Sequence, residues 1–346
     1  MRNTILILYF TGVQCFSQNA VYDSLYHNIT KELLPSQPSK ALIATKYLEQ
    51  ITSNDLEKAK GLGLRAYILG QQGLKLEAIK VIEQANNIVS KTENHLYKAH
   101  INGLLSSLSR ESGTLWTGKK ALNKAIKAGK KITCKNESFK FQGNLQQELA
   151  YYAMDAGAFN ESIAHLQLGI YFFNSVAKDS TIMFHLAKTN MLIGKNFLQL
   201  QKVDSAFFYY QKAKHQLQRS QYSNSSLRGF IFNGLGVAYM KMGDYECALV
   251  NLENTLNIAE TSNYYNLKME SYKAFQEYYK TIKDIDNYIY YSEKSEKLSK
   301  LEAENRKKIT NELLIKLEKR QEGMQLIYRK KLSFYWQQLY CQFQSE

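Results

Sequence analysis

Small residues recur along most of this chain at nearly regular intervals, each inside a run of apolar residues with helical spacing. The repeating positions, 37 to 44 residues apart, are Ala41, Ala78, Gly118, Ser162, Ala206 and Ala248. A further interval of 40 residues leads to Tyr288, a degenerate seventh copy. A self-similar period in this range is typical of stacked helical hairpins, which bury their apolar faces against one another. The chain is therefore predicted to fold as an array and not around one central core.

The composition agrees with long helices. Hydrophobic residues make up 45% of the 346 residues, which is enough for a packed interior. The two prolines, Pro35 and Pro38, both lie near the start. Proline inside a helix removes a hydrogen bond and costs about 3 kcal/mol, so the long proline-free remainder favours helices. Because few segments alternate with a period of two, we predict an all-α fold with almost no strand.

The clearest hairpin lies within residues 229–262. On one face of its first helix stand Phe232, Leu235, Gly236 and Tyr239. Gly243 marks the turn, since glycine accepts the backbone angles that end a helix. The second helix carries Ala248, Leu252 and Thr255. We expect the small side chains at Gly236 and Ala248 to let the two helices approach closely.

This pattern resembles the tetratricopeptide repeat. In that repeat the first helix bears a large residue, a leucine-glycine pair and a tyrosine, and the second bears alanine, an aromatic residue and alanine. The preceding unit follows the same plan at Ile193, Gly194, Phe197, Ala206, Tyr210 and Ala213. The resemblance covers about residues 22–295. It implies a right-handed superhelical solenoid of about seven such hairpins, with helices longer than those of the standard repeat.

Residues 1–17 have the pattern of an export signal. Arg2 provides a positive start, and the segment from Thr4 to Val13 provides a short apolar stretch. Small residues precede a plausible cleavage point ahead of Gln18. We therefore expect an exported protein of the periplasm or cell envelope, with the signal either cleaved or retained as an anchor. A buried first helix is the alternative.

Residues 296–331 are rich in lysine, glutamate and leucine and predict a long charged helix. An approximate heptad seam runs through Leu313, Leu317, Met324 and Ile327. A seam of this kind favours a coiled-coil homodimer, although Arg320 interrupts it. The alternative is a solvated helix that folds back on the last repeat.

The tail, residues 332–346, is too short to cross a bilayer, which needs about 20 apolar residues. Trp336 and its neighbouring tyrosines follow a cluster of basic residues. This combination suits a peripheral contact with a membrane interface. It is equally consistent with an aberrant end to a truncated protein.

No catalytic motif, phosphate-binding loop or zinc-type cluster occurs in the sequence. The six histidines are isolated, and Cys134, Cys247 and Cys341 are too scattered for a disulfide framework. Cys247, next to Ala248, is expected to be a small core residue. We predict neither an enzyme nor a metal or cofactor site. The net charge of +14 is spread over several repeats without a nucleic-acid motif, so nucleic acid is not an expected partner.

Two surfaces are candidate binding sites. In tetratricopeptide proteins the first helices line a concave groove that takes peptides. By register, the resemblance places on this groove Asn144, Gln147, Tyr151, Lys188, Met191, Lys195, Phe230, Asn233, Val237 and Lys241. The second surface is a basic stripe of Lys120, Lys124, Lys127 and Lys131 on one helix face. The stripe is either a solvated face or a docking site for an acidic protein or anionic lipid.

The sequence thus predicts a non-catalytic scaffold that binds a protein or peptide in the cell envelope. An export signal, a repeat array and a charged helix in this order resemble the front half of bacterial envelope regulators. In those regulators the array precedes a membrane helix and a kinase or DNA-binding domain. A truncated sensor half that lacks its effector domain is therefore the alternative. An envelope accessory protein that docks an acidic partner through the basic stripe is a third hypothesis.

Overall fold

A computed structural model describes residues 20–344 of the protein, except residue 53, residues 177–179 and residues 221–225. The predicted export signal lies outside the described residues. Side chains of the tail from residue 333 onward are not described either. Nearly all described residues are helical, and no strand occurs among them. This confirms the all-α prediction.

The helices follow one another with short turns. In chain order they are α1 (residues 20–36, with a π-helical turn at Ile29–Leu33), α2 (Pro38–Gln50), α3 (Asp55–Gln71), α4 (Lys75–Ser90), α5 (His95–Glu111), α6 (Leu115–Gly129), α7 (Lys135–Asp155), α8 (Phe159–Asn174), α9 (Ser180–Gln199), α10 (Val203–Gln218), α11 (Leu227–Met242), α12 (Tyr245–Ser262), α13 (Tyr265–Thr281) and α14 (Ile285–Gln344). Odd-numbered helices are the first helices of seven hairpins and even-numbered helices are the second.

The chain forms two compact units that divide between Lys300 and Leu301. The second unit is the remainder of α14. Of the predicted heptad seam in this unit, Met324 and Ile327 are exposed and Leu313 is half-buried. The side chain of Leu317 lies outside the described residues. Dimerisation through this seam stays a prediction.

Packing in the first unit is that of a helical solenoid. The most extensive contacts join the two helices of one hairpin, as in α5 with α6 and α9 with α10. The second helix of a hairpin then contacts the first helix of the next, and successive first helices also touch one another. Each hairpin therefore buries its apolar face against its neighbours, as the repeat period predicts.

The small residues that define the repeat are the points of closest approach. Ala206 and Ala248 are completely buried. A Cβ atom added at Gly236 would lie 2.7 Å from Cδ2 of Leu252 and 3.2 Å from the Ala248 carbonyl oxygen. One added at Gly194 would lie 3.0 Å from the ring of Tyr210. The predicted close approach of paired helices is confirmed.

At the turn before α12 the predicted role of Gly243 is confirmed, whereas the predicted burial of Cys247 is not. Gly243 takes the left-handed conformation, with φ of 83°, as its position predicts. Asp244 then caps α12 by accepting a hydrogen bond from the Cys247 amide at 3.0 Å. Cys247 is exposed, so the prediction that it is a core residue is wrong. Adjacent helical positions differ by about 100°, and Ala248 occupies the buried one.

Candidate functional site

First helices from distant hairpins bring polar and aromatic side chains together on one inner surface. We call this surface the inner cleft and define it by Tyr67, Arg110, Glu111, Tyr151, Lys188, Lys195, Phe230, Tyr264 and Glu270. Burial raises the pKa of Tyr264 well above its usual 10, and Tyr67, Glu111, Tyr151 and Glu270 each add to this effect. Because α3, α5, α7 and α13 supply those four neighbours, the cleft is assembled from residues far apart in the chain.

A contact between the second and the last hairpin bounds one side of the cleft. The Tyr265 side chain lies against Gly73, where an added Cβ would be 2.9 Å from the ring. The Lys75 ammonium is 5.8 Å from the centre of the same ring. Tyr265 also donates a hydrogen bond to the Leu298 carbonyl at 2.7 Å. These contacts bring Tyr67 of α3 close to Tyr264, the residue just before α13.

Arg110 is the buried electrostatic centre of this surface. Its guanidinium lies 2.9 Å from Asp155, 3.3 Å from Glu148 and 3.6 Å from Glu111. Its Cζ is 4.8 Å from the centre of the Tyr151 ring. Burial opposes the charge on Arg110, but the three carboxylates outweigh burial and raise its pKa. The buried cation is therefore fully compensated by groups of the protein itself.

Lys188 lies beside Tyr151, as Arg110 does, but it lacks the carboxylate ion pairs of Arg110. Its ammonium is 5.6 Å from the centre of the Tyr151 ring. Within the part of the chain that the structure describes, no side-chain hydrogen bond or ion pair engages this ammonium. Burial lowers the pKa of Lys188. The cleft thus holds one desolvated cation whose hydrogen-bond donors are available.

Tyr67, Tyr151 and Tyr264 contribute three phenols to the inner cleft. Burial raises the pKa of Tyr67 to about 12, yet 42% of its surface is accessible. The Tyr67 side chain is therefore partly accessible within the cleft. Burial also raises the pKa of Tyr151, so all three phenols remain protonated hydrogen-bond donors near neutral pH. Phe230 packs edge-to-face on Tyr264 at 5.4 Å and extends the aromatic wall.

An ion pair between Lys195 of α9 and Glu270 of α13 crosses the inner side of the intervening hairpin. Both side chains are about one-third exposed. Lys195 is therefore engaged by the protein, in contrast to Lys188. The pair also joins helices that belong to different hairpins, so it orders the wall that carries Tyr264.

Four of the ten predicted groove residues lie in the inner cleft: Tyr151, Lys188, Lys195 and Phe230. Gln147 is buried and donates a hydrogen bond to the Thr189 hydroxyl at 2.8 Å. Met191 is 6% exposed and belongs to the hydrophobic core. These two residues therefore join helices.

The other predicted groove residues differ in burial. Asn233 is buried, and its Oδ1 has no hydrogen-bond partner among the described residues. Val237 is half-buried and packs against two core clusters, and Asn144 is half-buried as well. Lys241 is exposed and donates to Oε1 of Gln201 at 3.3 Å. Whether any of the ten contacts a ligand stays a prediction.

Several residues of the cleft are not among the groove residues predicted from the sequence, namely Tyr67, Arg110, Glu111, Tyr264 and Glu270. The repeat near the start survives mainly in the second helices and is degenerate in α3, and Tyr264 precedes the recognisable repeat positions of α13, which are Tyr272, Phe275 and Tyr279. An aromatic residue near the start of α13 or the end of α3 therefore carries no register signal.

Among the described residues, no histidine, cysteine and carboxylate side chains cluster closely enough to hold a metal ion. None of the helices there has both the length and the apolar character needed to cross a membrane. The residues of the basic stripe are exposed, Lys120, Lys124 and Lys127 on α6 and Lys131 just beyond its end.

Comparisons with known proteins give the fold. No family model matches the chain, and no curated protein matches it in sequence. The structure of NprR in complex with its cognate peptide NprX is similar, with a TM-score of 0.60 and 14% identity over 86% of this chain and 81% of that one. The chain has the tetratricopeptide-type solenoid fold. A Rap protein complexed with competence and sporulation factor is similar too, with a TM-score of 0.58 and 13% identity over 82% of this chain and 86% of that one. The tetratricopeptide-type fold predicted from the repeats is thereby confirmed.

Proposed function

We propose that the protein is a non-catalytic scaffold that binds a peptide in the inner cleft. The observation that carries this proposal is that the phenols of Tyr67, Tyr151 and Tyr264 share one surface, on which the Lys188 ammonium lies beside the Tyr151 ring. Phenol and ammonium groups donate hydrogen bonds to backbone carbonyls and carboxylates, while the rings give apolar contact at low entropic cost. An extended peptide presents both kinds of group along its length.

Enclosure of the cleft favours a ligand with a small cross-section. The contact between Gly73 and Tyr265 lies between the second and the last hairpin, so the cleft is bounded on that side. A peptide chain fits such a space more readily than the surface of a folded protein. The two similar structures, NprR with its cognate peptide and Rap with competence and sporulation factor, share the fold and support a peptide ligand.

We further propose that the protein acts outside the cytoplasm, in the periplasm or cell envelope, as a peptide sensor. The export-signal pattern of residues 1–17 supports this location. Its test is fractionation of cells that express the full chain, with an Ile5→Asp, Ile7→Asp variant as control. Retention of both forms in the cytoplasm would contradict the proposal.

The binding proposal is tested with the full chain and a random hexapeptide library, followed by calorimetry on the most enriched peptide. The variant Tyr264→Ala removes a ring from the cleft, and Tyr171→Ala is the matched control because Tyr171 is 64% exposed on α8. We expect Tyr264→Ala to weaken binding by roughly 10-fold, and the control to bind like the wild type. Failure of the wild-type protein to enrich any peptide, or equal affinities of both variants, would contradict a peptide site in the cleft.

A further inference from the structure

The outer face of α6 carries an exposed tryptophan beside a row of lysines. Trp116 is 72% exposed and its neighbour Leu115 is 48% exposed. The Lys120 ammonium lies 5.0 Å from the centre of the Trp116 ring. A shallow depression of about 440 Å³ runs along this face and is lined by Trp116, Lys119, Lys120, Asn123, Lys124 and Lys127. We call these six residues and Leu115 the α6 outer face.

The opposite side of α6 is fully used by the fold. Its buried residues are Gly118, Ala121, Leu122, Ala125 and Gly129, and α6 packs extensively on α5. The outer face therefore contributes nothing to the helix pairing inside its hairpin. Trp116 and Leu115 are adjacent exposed apolar side chains on this face, and lysines border them.

The charge on this side of the protein is of one sign. Between Glu111 and Glu137 the chain contains no carboxylate, whereas it contains the lysines Lys119, Lys120, Lys124, Lys127, Lys130, Lys131 and Lys135. All of these lysines are exposed. Within the described part of the chain, none of them forms an ion pair. The surface is therefore complementary to an extended anionic partner.

The residue types favour a lipid surface over a protein. Lysine is a point charge without the forked geometry that arginine offers to a single carboxylate, so a row of lysines suits a diffuse layer of phosphates. From Lys120 to Lys127 the row is roughly 10 Å long at 1.5 Å per helical residue, and Lys130 and Lys131 extend it past the end of α6. Tryptophan prefers the boundary between lipid headgroups and acyl chains.

We propose that the α6 outer face docks the protein onto bilayers that contain anionic phospholipids, with Trp116 inserted at the headgroup level and the lysines against the phosphates. Attraction of this kind grows with each lysine near the surface and is screened by salt. It requires no transmembrane helix. Because α6 presents this face as a second helix, docking leaves the first helices and the inner cleft uncovered.

The test is co-sedimentation of the full chain with vesicles of phosphatidylcholine alone or with 30 mol% phosphatidylglycerol, a composition chosen for the assay. The charge variant is Lys120→Glu with Lys124→Glu. Its control, Lys212→Glu with Lys273→Glu, makes the same change in net charge at exposed sites elsewhere. Trp116→Ala is tested separately, and thermal unfolding verifies that each variant folds.

We expect the wild type and the control to bind the anionic vesicles, and the charge variant to bind at least ~10-fold more weakly. Trp116→Ala should weaken binding several-fold, and 0.5 M salt should reduce wild-type binding. Equal binding of the charge variant and the control would overturn the proposal. So would capture of the wild type by immobilised polyglutamate without any binding to anionic vesicles, because that result identifies an acidic protein as the partner.

Discussion

Tyr265 packs its ring directly against Gly73, so the last hairpin of the array touches the turn of the second hairpin. Gly73 has a φ of 81°, a conformation that side chains disfavour, and the ring leaves no room for a Cβ atom. Glycine at this position therefore serves the turn and the contact at once. The contact bounds the inner cleft, which links a local backbone requirement to the candidate function.

Replacing Gly73 tests how much this contact contributes to stability, and Gly157 offers a matched control. Gly157 has a similar φ of 74°, but nothing lies within 4 Å of the position of its Cβ. We expect Gly157→Ala to cost about 1 kcal/mol of backbone strain and Gly73→Ala to cost roughly 1–3 kcal/mol more, because the methyl group displaces Tyr265. Chemical denaturation measures both, and equal losses would show that the contact contributes little.

Arg110 should be the most sensitive polar residue of the array. Replacing it with methionine leaves Glu148, Glu111 and Asp155 without their shared cation, and a broken buried ion pair typically costs about 3–5 kcal/mol. Arg65→Met is the control, because Arg65 pairs with Glu49 at 3.0 Å at a more exposed site and should cost about 1 kcal/mol or less. Denaturation midpoints compare the two, and a mild effect of Arg110→Met would contradict the role of this residue as a structural centre.

The contribution of Lys188 to the stability of the fold should depend on pH. Burial lowers the pKa of Lys188 in the folded protein, so the unfolded chain binds its proton more tightly. Stability then rises with pH between the lowered pKa and the ordinary value near 10.5. Lys188→Met should flatten this rise and raise the melting temperature near pH 7.

Melting temperatures of the wild type and Lys188→Met between pH 7 and pH 10 measure this effect. The control is Lys212→Met, whose exposed ammonium lies 5.9 Å from the Tyr209 ring on α10. A constant offset between wild type and Lys188→Met across this range would refute a desolvated ammonium at this position.

Two helical glycines test whether the small residues of the repeat are needed for close helix packing. A methyl group at Gly236 would lie 2.7 Å from Leu252, whereas one at Gly103 would meet nothing within 4 Å. Gly236→Ala should therefore destabilise the array by roughly 1–3 kcal/mol through overpacking. Gly103→Ala should stabilise it by up to about 1 kcal/mol, because alanine favours the helix. Thermal unfolding that moved in the same direction for both would contradict this assignment.

The helices, their pairing and several turns follow from the sequence because they depend on residues close together in the chain. A period of 3.6 residues defines each apolar face, a small residue defines each close approach, and Gly243 ends α11 at the expected place. Cys247 shows the limit of this reasoning. Its neighbour Ala248 is buried and it is not, since a shift of one position rotates a side chain by about 100° around the helix.

The inner cleft depended on the tertiary structure. Tyr67 and Tyr264 come close only because small rotations between successive hairpins accumulate over the array, and no local pattern encodes that sum. The same rotations decide that Lys195 pairs with Glu270 while Lys188 forms no ion pair with any residue that the structure describes. The sequence by itself determined the repeated unit, whose contacts are local. The tertiary structure determined which distant side chains share one surface, because that depends on the geometry of the whole array.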